Sequence, residues 1–270
     1  MRKAASFSRW SLLMGVACGL AMLPVANRVA SAETITMSMS VNGGAYFSID
    51  AFATITPPPP GPPTYTITNI AGLDTILASL GSAYHFVSLS GESTTWPGSF
   101  SSAGGTLSLG GEIFTTGPAV GQTVSIKETL TGYTSPSGLP GTLSSASTAT
   151  FNNAGPGNSH SASSIFTNSL AVPIPTLTYP VASTTTGPDN EGNSPPSVPI
   201  PLGSFTTPYS LTNVITFTLP SSGADDAFGV TAKVTAVPEP ASVVTMLIGL
   251  PMPLVGLAWL RRRKAGIANS

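Results

Sequence analysis

The chain of 270 residues reads as mainly β: a β-sandwich-like domain with long Pro/Ser/Gly-rich loops, followed by one C-terminal transmembrane helix. Three observations predict this. Apolar and polar residues alternate with period two in several segments, as half-buried strands require. Clusters of Gly, Pro and Asn separate those segments, and only one internal stretch carries helical spacing. The 20 residues from Ala241 to Leu260 contain no charge, and Ser242 and Thr245 are their only polar side chains. A helix of that length spans about 30 Å, the hydrocarbon thickness of a bilayer.

Taken in order, residues 1–32 read as a signal peptide. Arg2, Lys3 and Arg9 form a basic n-region and Trp10 to Ala26 an apolar h-region. Ala30-Ser31-Ala32 supplies the small-x-small cleavage pattern, so signal peptidase is an expected partner and Glu33 the expected new N-terminus. Cys18, the only cysteine, lies within the h-region without a lipobox before it. The exported part therefore carries no thiolate for a metal site.

Residues 33–236 are read as one exported mainly-β domain. Thr34 to Val41 alternates strictly, with Ile35, Met37, Met39 and Val41 on one face. Asn42-Gly43-Gly44 supplies a turn, because these residues tolerate positive φ. Tyr46 to Ile55 reads as a second strand. Pro57 to Pro63 cannot donate ladder hydrogen bonds and predicts a polyproline spacer. Tyr65 to Thr68 resumes a strand. Ile70, Leu73, Ile76, Leu77 and Leu80 recur at helical spacing, which predicts a helix over Ile70–Leu80 ended by Gly81. His85 to Ser90 alternates again, before a loop over Gly91–Gly105. Thr106–Leu109, a Gly110-Gly111 turn and Glu112–Thr116 read as a hairpin. Gln122 to Thr131 follows as a strand, with Val124, Ile126, Glu128 and Leu130 at alternate positions. Large apolar residues are scarce from Tyr133 to Ser164, where Ala146–Phe151 is a short candidate strand. Residues 173–208 carry nine prolines and read as a loop-rich excursion or linker. Leu211–Leu219 and Phe228–Val237 are the last strands.

Charge narrows the function. Between Glu33 and Ala236 there are two lysines, Lys127 and Lys233, against ten carboxylates, a net charge of −8. Nucleic-acid affinity rests on clustered Lys and Arg, so nucleic acid is excluded as a partner. Catalytic chemistry finds no anchor. His85 (in a strand) and His160 (in an Asn/Ser-rich loop) stand at no metal-ligand spacing and read as solvated or structural. No Gly-x-Ser-x-Gly elbow presents a nucleophile. Asp74, Glu92 and Glu112 are scattered candidates for a glycosidase pair, with nothing to single them out. Asp189 to Asn193 is rich in oxygen ligands but lacks the alternating acids and final Glu of an EF-hand loop. It reads as a solvated turn, as does Asp225-Asp226. No catalytic residue, metal ligand or cofactor is expected, and the chain does not read as an enzyme.

The C-terminal stretch carries the most specific signal. Val237-Pro238-Glu239-Pro240, the apolar span 241–260 and the basic cluster Arg261, Arg262, Arg263 and Lys264 follow one another directly. Residues 237–264 in this order resemble the PEP-CTERM sorting signal of Gram-negative bacteria. Pro251 and Pro253 within the span depart from a straight helix and should kink it. The resemblance implies an exosortase-type sorting enzyme as partner, and delivery through the inner membrane to the cell surface or an exopolysaccharide matrix. The basic cluster should remain on the cytoplasmic side. The function expected is that of an exported structural or interaction protein of unknown biochemical activity. A carbohydrate-binding β-module is the alternative. It would show exposed aromatics on a sheet face, with Trp96, Tyr46, Tyr65, Tyr84, Tyr133, Tyr179 and Tyr209 as candidates. A glycan-acting enzyme is a third reading.

Overall fold

The computed structural model describes residues 34–56, 64–93, 103–133, 141–155, 157–168, 173–182, 187–200 and 208–236. The expected signal peptide, the proline stretch 57–63, Trp96, the expected sorting motif, the apolar span and the basic cluster lie outside the described residues. Among the described residues, no helix is long and apolar enough to cross a membrane.

Two antiparallel sheets form the body. In chain order the strands are β1 (Thr34–Val41), β2 (Phe47–Ser48), β3 (Ala53–Thr56), β4 (Thr64–Ile67), β5 (Tyr84–Ser93), β6 (Ala103–Thr115) and β7 (Val124–Tyr133). They continue with β8 (Gly141–Ala154), β9 (Ser159–Thr167), β10 (Pro173–Ala182), β11 (Gly187–Asn193), β12 (Val198–Ile200), β13 (Tyr209–Thr218) and β14 (Asp225–Ala236). The six-stranded sheet runs β10-β9-β13-β7-β1-β2. The eight-stranded sheet runs β11-β8-β14-β6-β5-β4-β3, with β12 also beside β8. The chain passes between sheets repeatedly, so its central pairs, such as β1 with β7 and β14 with β6 and β8, join distant segments.

The alternation in the sequence explains how the sheets pack. Ile35, Met37 and Met39 of β1, Val124, Ile126 and Leu130 of β7, and Leu211, Ile215 and Phe217 of β13 point inward from one sheet. They join one core with Tyr84, Phe86 and Leu89 of β5, Leu107, Leu109 and Ile113 of β6, and Val230, Ala232 and Val234 of β14. Each fully buried side chain of this size contributes about 1.5–3 kcal/mol.

The single α-helix among the described residues, α1 (Ile70–Ser79), starts at Asn69, whose side chain accepts from the Gly72 N–H, and ends before Gly81 at φ +72. It buries Leu73 and Leu77, and Asp74 Oδ1 accepts from the Phe86 N–H at 3.0 Å. The helix thus satisfies the part of β5 that β4 does not reach.

Several expectations are corrected. Tyr46–Ile55 is not one strand: after β2 a 3-10 turn at Asp50–Phe52 redirects the chain, and β3 joins the other sheet. Asp50 holds this crossing by accepting from the Met37 N–H and the Tyr65 hydroxyl. Gly110-Gly111 is no hairpin turn but the middle of the 13-residue strand β6. An added Cβ on Gly111 would stand 2.4 Å from the Ser88 carbonyl oxygen, so the glycine admits the backbone of β5 beside its bulge. The Ser/Ala/Thr-rich stretch after Tyr133 forms the 14-residue β8 as well as β9. The proline-rich region 173–208 contributes β10, β11 and β12 rather than serving as a linker. It supplies outer strands, where a missing N–H is tolerated. Loops also give way at Gly91–Ser93 and Ala103–Gly105, which are strand.

Candidate functional site

The chemistry-bearing side chains of the described residues gather between the sheets, in a polar seam through the core. One end is built on β8, β9 and β14. Ser147 Oγ lies 2.8 Å from His160 Nε2, and His160 Nδ1 lies 2.7 Å from Asp226 Oδ2. The three residues are 2%, 1% and 0% exposed. Phe151, Phe217 and Phe228 close around them, with the Phe217 ring edge-on to the imidazole at 6.0 Å. Burial raises the Asp226 carboxyl above the ordinary carboxylate range, while the hydrogen bond and charge of His160 pull it back.

This is the residue set of a hydrolytic triad, buried in the core. Ser147 Oγ also donates to the Gly229 carbonyl at 3.1 Å. That oxygen only accepts, so it competes with the imidazole for the hydroxyl proton, opposite to what an activated nucleophile needs. No substrate surface reaches a serine that is 2% exposed. The group ties the two sheets together.

The other end of the seam is built on β7, β13, β9 and β8. Ser145 Oγ is 2.7 Å from Ser164 Oγ, and Ser164 donates to Asn213 Oδ1 at 2.8 Å. Asn213 Nδ2 donates across the interface to the Leu107 carbonyl at 3.0 Å. Glu128 stands beside this chain, wholly buried, with both carboxyl oxygens lacking a hydrogen-bond partner. Burial holds its carboxyl well above the ordinary carboxylate range, and the neighbouring Asn213 side chain pulls it partly back. Gly91 permits the arrangement: a Cβ there would run into the Glu128 carboxyl.

The sequence candidates fall as follows. His160 is on β9 and buried, not in a loop, and Asp226, the second residue of β14, lies inside the core, not in a solvated turn. Asp189 to Asn193 is strand β11, paired with β8. Asp74 caps Phe86 and pairs with His85 at 3.4 Å, while His85 stacks on Phe114. Glu92 is exposed on β5. Glu112 instead meets Asp225, on the outer face of β6 and β14. Partial burial and then the Asp225 charge raise the Glu112 carboxyl. No group of three His, Cys, Asp or Glu among the described residues could hold a metal ion.

The aromatic candidates are mostly interior. Tyr65, Tyr84, Tyr133 and Tyr209 are buried, and each hydroxyl is tied to backbone or side chain. Tyr46 is exposed, with Lys127 Nζ 4.7 Å from its ring centre. The side chain of Tyr179 and all of Trp96 lie outside what the structure describes.

Sequence reasoning missed the seam, although part of its signal was present. Glu128 alternates with Val124, Ile126 and Leu130, and Asn213 with Leu211, Ile215 and Phe217. Both positions belong to apolar faces. His160, Ser145, Ser147 and Ser164 lie in small-residue strands whose period is not written in hydrophobicity.

The chain matches no family model and no curated protein sequence. Among solved structures it is similar to the enzymatically active domain of bacteriophage CBA120 tailspike protein 4, at 11% identity and a TM-score of 0.28, over 57% of this chain and 19% of that one. It is also similar to infectious bursal disease virus of the Gx strain, at 13% identity and a TM-score of 0.26, over 78% of this chain and 53% of that one. The VP2 subviral particle of infectious bursal disease virus follows at 13% identity and a TM-score of 0.18, over 78% and 68%. The chain spans about a fifth of the tailspike chain and about half of the Gx-strain chain. Likenesses at this level carry no argument about activity.

Proposed function

We propose that this chain is a structural or interaction protein of the bacterial cell surface or extracellular matrix, exported by its signal peptide and sorted by a PEP-CTERM-type tail. One observation carries the reading: the contiguous order of Val237-Pro238-Glu239-Pro240, the uncharged span Ala241–Leu260 and Arg261–Lys264. The last strand, β14, ends at Ala236, one residue before that motif. The body and its address therefore meet without a spacer, and an uncleaved tail would hold the β-domain against the inner membrane. The interior position of Ser147, His160 and Asp226 suits a scaffold better than a hydrolase. The buried tyrosines likewise favour a scaffold over a carbohydrate-binding sheet face.

The test is intact-mass spectrometry of the protein from surface, membrane and medium fractions of its native host. The expected species begins at Glu33 and ends near Pro240. A protein retaining its mass through Ser270, and confined to membranes, would retire the sorting reading.

A further inference from the structure

The core places a nucleophile, an acyl group and an acid side by side, fully buried. Ser164 and Asn213 are direct partners across β9 and β13, and Asn213 and Glu128 are direct partners across β13 and β7. All three are 0% exposed. Directly opposed residues hold their side chains within reach of each other, and here the Ser164 hydroxyl already rests on the Asn213 amide oxygen at 2.8 Å. Neither oxygen of Glu128 has a hydrogen-bond partner. A carboxyl buried in that way is costly, and such groups persist where chemistry or strain uses them.

We propose that Ser164 and Asn213 form an intramolecular ester, with Glu128 as proton carrier, stapling β9 to β13 and releasing ammonia. Ser164 Oγ bonds to Asn213 Cγ, giving a tetrahedral centre whose oxygen sits where Oδ1 was. Collapse of that centre breaks the Cγ–Nδ2 bond. The Ser164 proton passes to Oδ1, on which it already rests; Glu128 gives its own proton to the departing nitrogen and regains one from that oxygen as the carbonyl re-forms. The sum is one hydroxyl and one carboxamide converted to one ester and one ammonia, without oxidant, cofactor or water. Burial raises the Glu128 carboxyl well above the ordinary carboxylate range, which favours the protonated form that the step uses. Ser145 at 2.7 Å holds the Ser164 hydroxyl in place, and Leu107 holds the amide from across the interface. Fixing both reactants in one geometry supplies effective molarities on the order of 10⁵ M or more. Complete burial of the three side chains shields the ester from hydrolysis.

The experiment is mass spectrometry of the full chain purified in its folded state, followed by digestion after denaturation. The expected result is a mass short by one ammonia, with the Ser164 and Asn213 peptides recovered as one linked species that brief alkali separates. The full, unshortened mass would overturn the proposal. So would an ammonia loss located within a single peptide, as from a succinimide at Asn42-Gly43. Glu128→Gln keeps the side-chain shape and, with folding verified by circular dichroism, is expected to retain the full mass. A linked species in that variant would remove Glu128 from the reaction. Ser164→Ala is expected to abolish the link. The wild-type mass is decisive even where a variant fails to fold.

Discussion

At the scale of single residues, the interior polar groups decide how stability responds to solution conditions. Glu128 is raised above its ordinary value of 4.5 by burial. The folded state then binds its proton more tightly than the unfolded chain does. Its favourable contribution is complete below the unfolded carboxylate range and is lost as pH rises toward the folded value. Asp226 is shifted in the same direction. The melting temperature is therefore expected to decline as pH rises from about 4.5 upward, with a flatter profile for Glu128→Gln. A wild-type profile that climbs through that range would contradict the assignment. Tyr84 offers a second check. Its hydroxyl accepts from the Leu219 N–H at 2.8 Å and donates to the Gln122 carbonyl. Tyr84→Phe strands a buried backbone donor and should cost about 1–3 kcal/mol, measured by chemical denaturation.

At the scale of elements, close backbone approach and caps fix where segments run. Gly110 and Gly111 are neighbours in β6, yet only Gly111 lacks room for a Cβ. The nearest atom would lie 2.4 Å away, a backbone oxygen that cannot swing aside, against 3.4 Å at Gly110. Gly111→Ala is expected to lose about 1–3 kcal/mol, with Gly110→Ala close to neutral. Equal losses would show that the approach of β5 is not what requires glycine. For α1, Asn69→Ala removes the acceptor for the Gly72 N–H and should cost about 1 kcal/mol. The outer strands β10, β11 and β12 carry Pro173, Pro175, Pro180, Pro188 and Pro199. A proline presents no N–H to an incoming strand, so these edges resist pairing with another chain. Asn193 of β11 donates to the Pro180 carbonyl of β10 at 3.0 Å, which ties the two sheets together along that side.

At the scale of the whole molecule, a β-body with a net charge of −8 over residues 33–236 precedes a tail whose charges are all basic after Leu260. Replacing Arg261–Lys264 by neutral residues is expected to weaken retention or orientation in a reporter-fusion assay, since the positive cluster sets which side stays inside. Glu239→Ala is expected to block sorting while leaving the fold intact, checked by surface labelling alongside circular dichroism. Normal surface delivery of that variant would sink the sorting reading. Composition, strand period and turn chemistry determined the mainly-β class, the strand β1, helix α1 with its Gly81 stop, and the cores of β7 and β13. These are local properties, written in residues a few positions apart. Tertiary structure alone decided that Gly110-Gly111 runs straight, that the proline-rich segment becomes edge strands, and that Ser147, His160 and Asp226 meet. It also decided that Ser164, Asn213 and Glu128 line up across three strands in the core. Pairings between strands far apart in the chain set each of these, and local sequence holds no record of which distant strand will lie alongside.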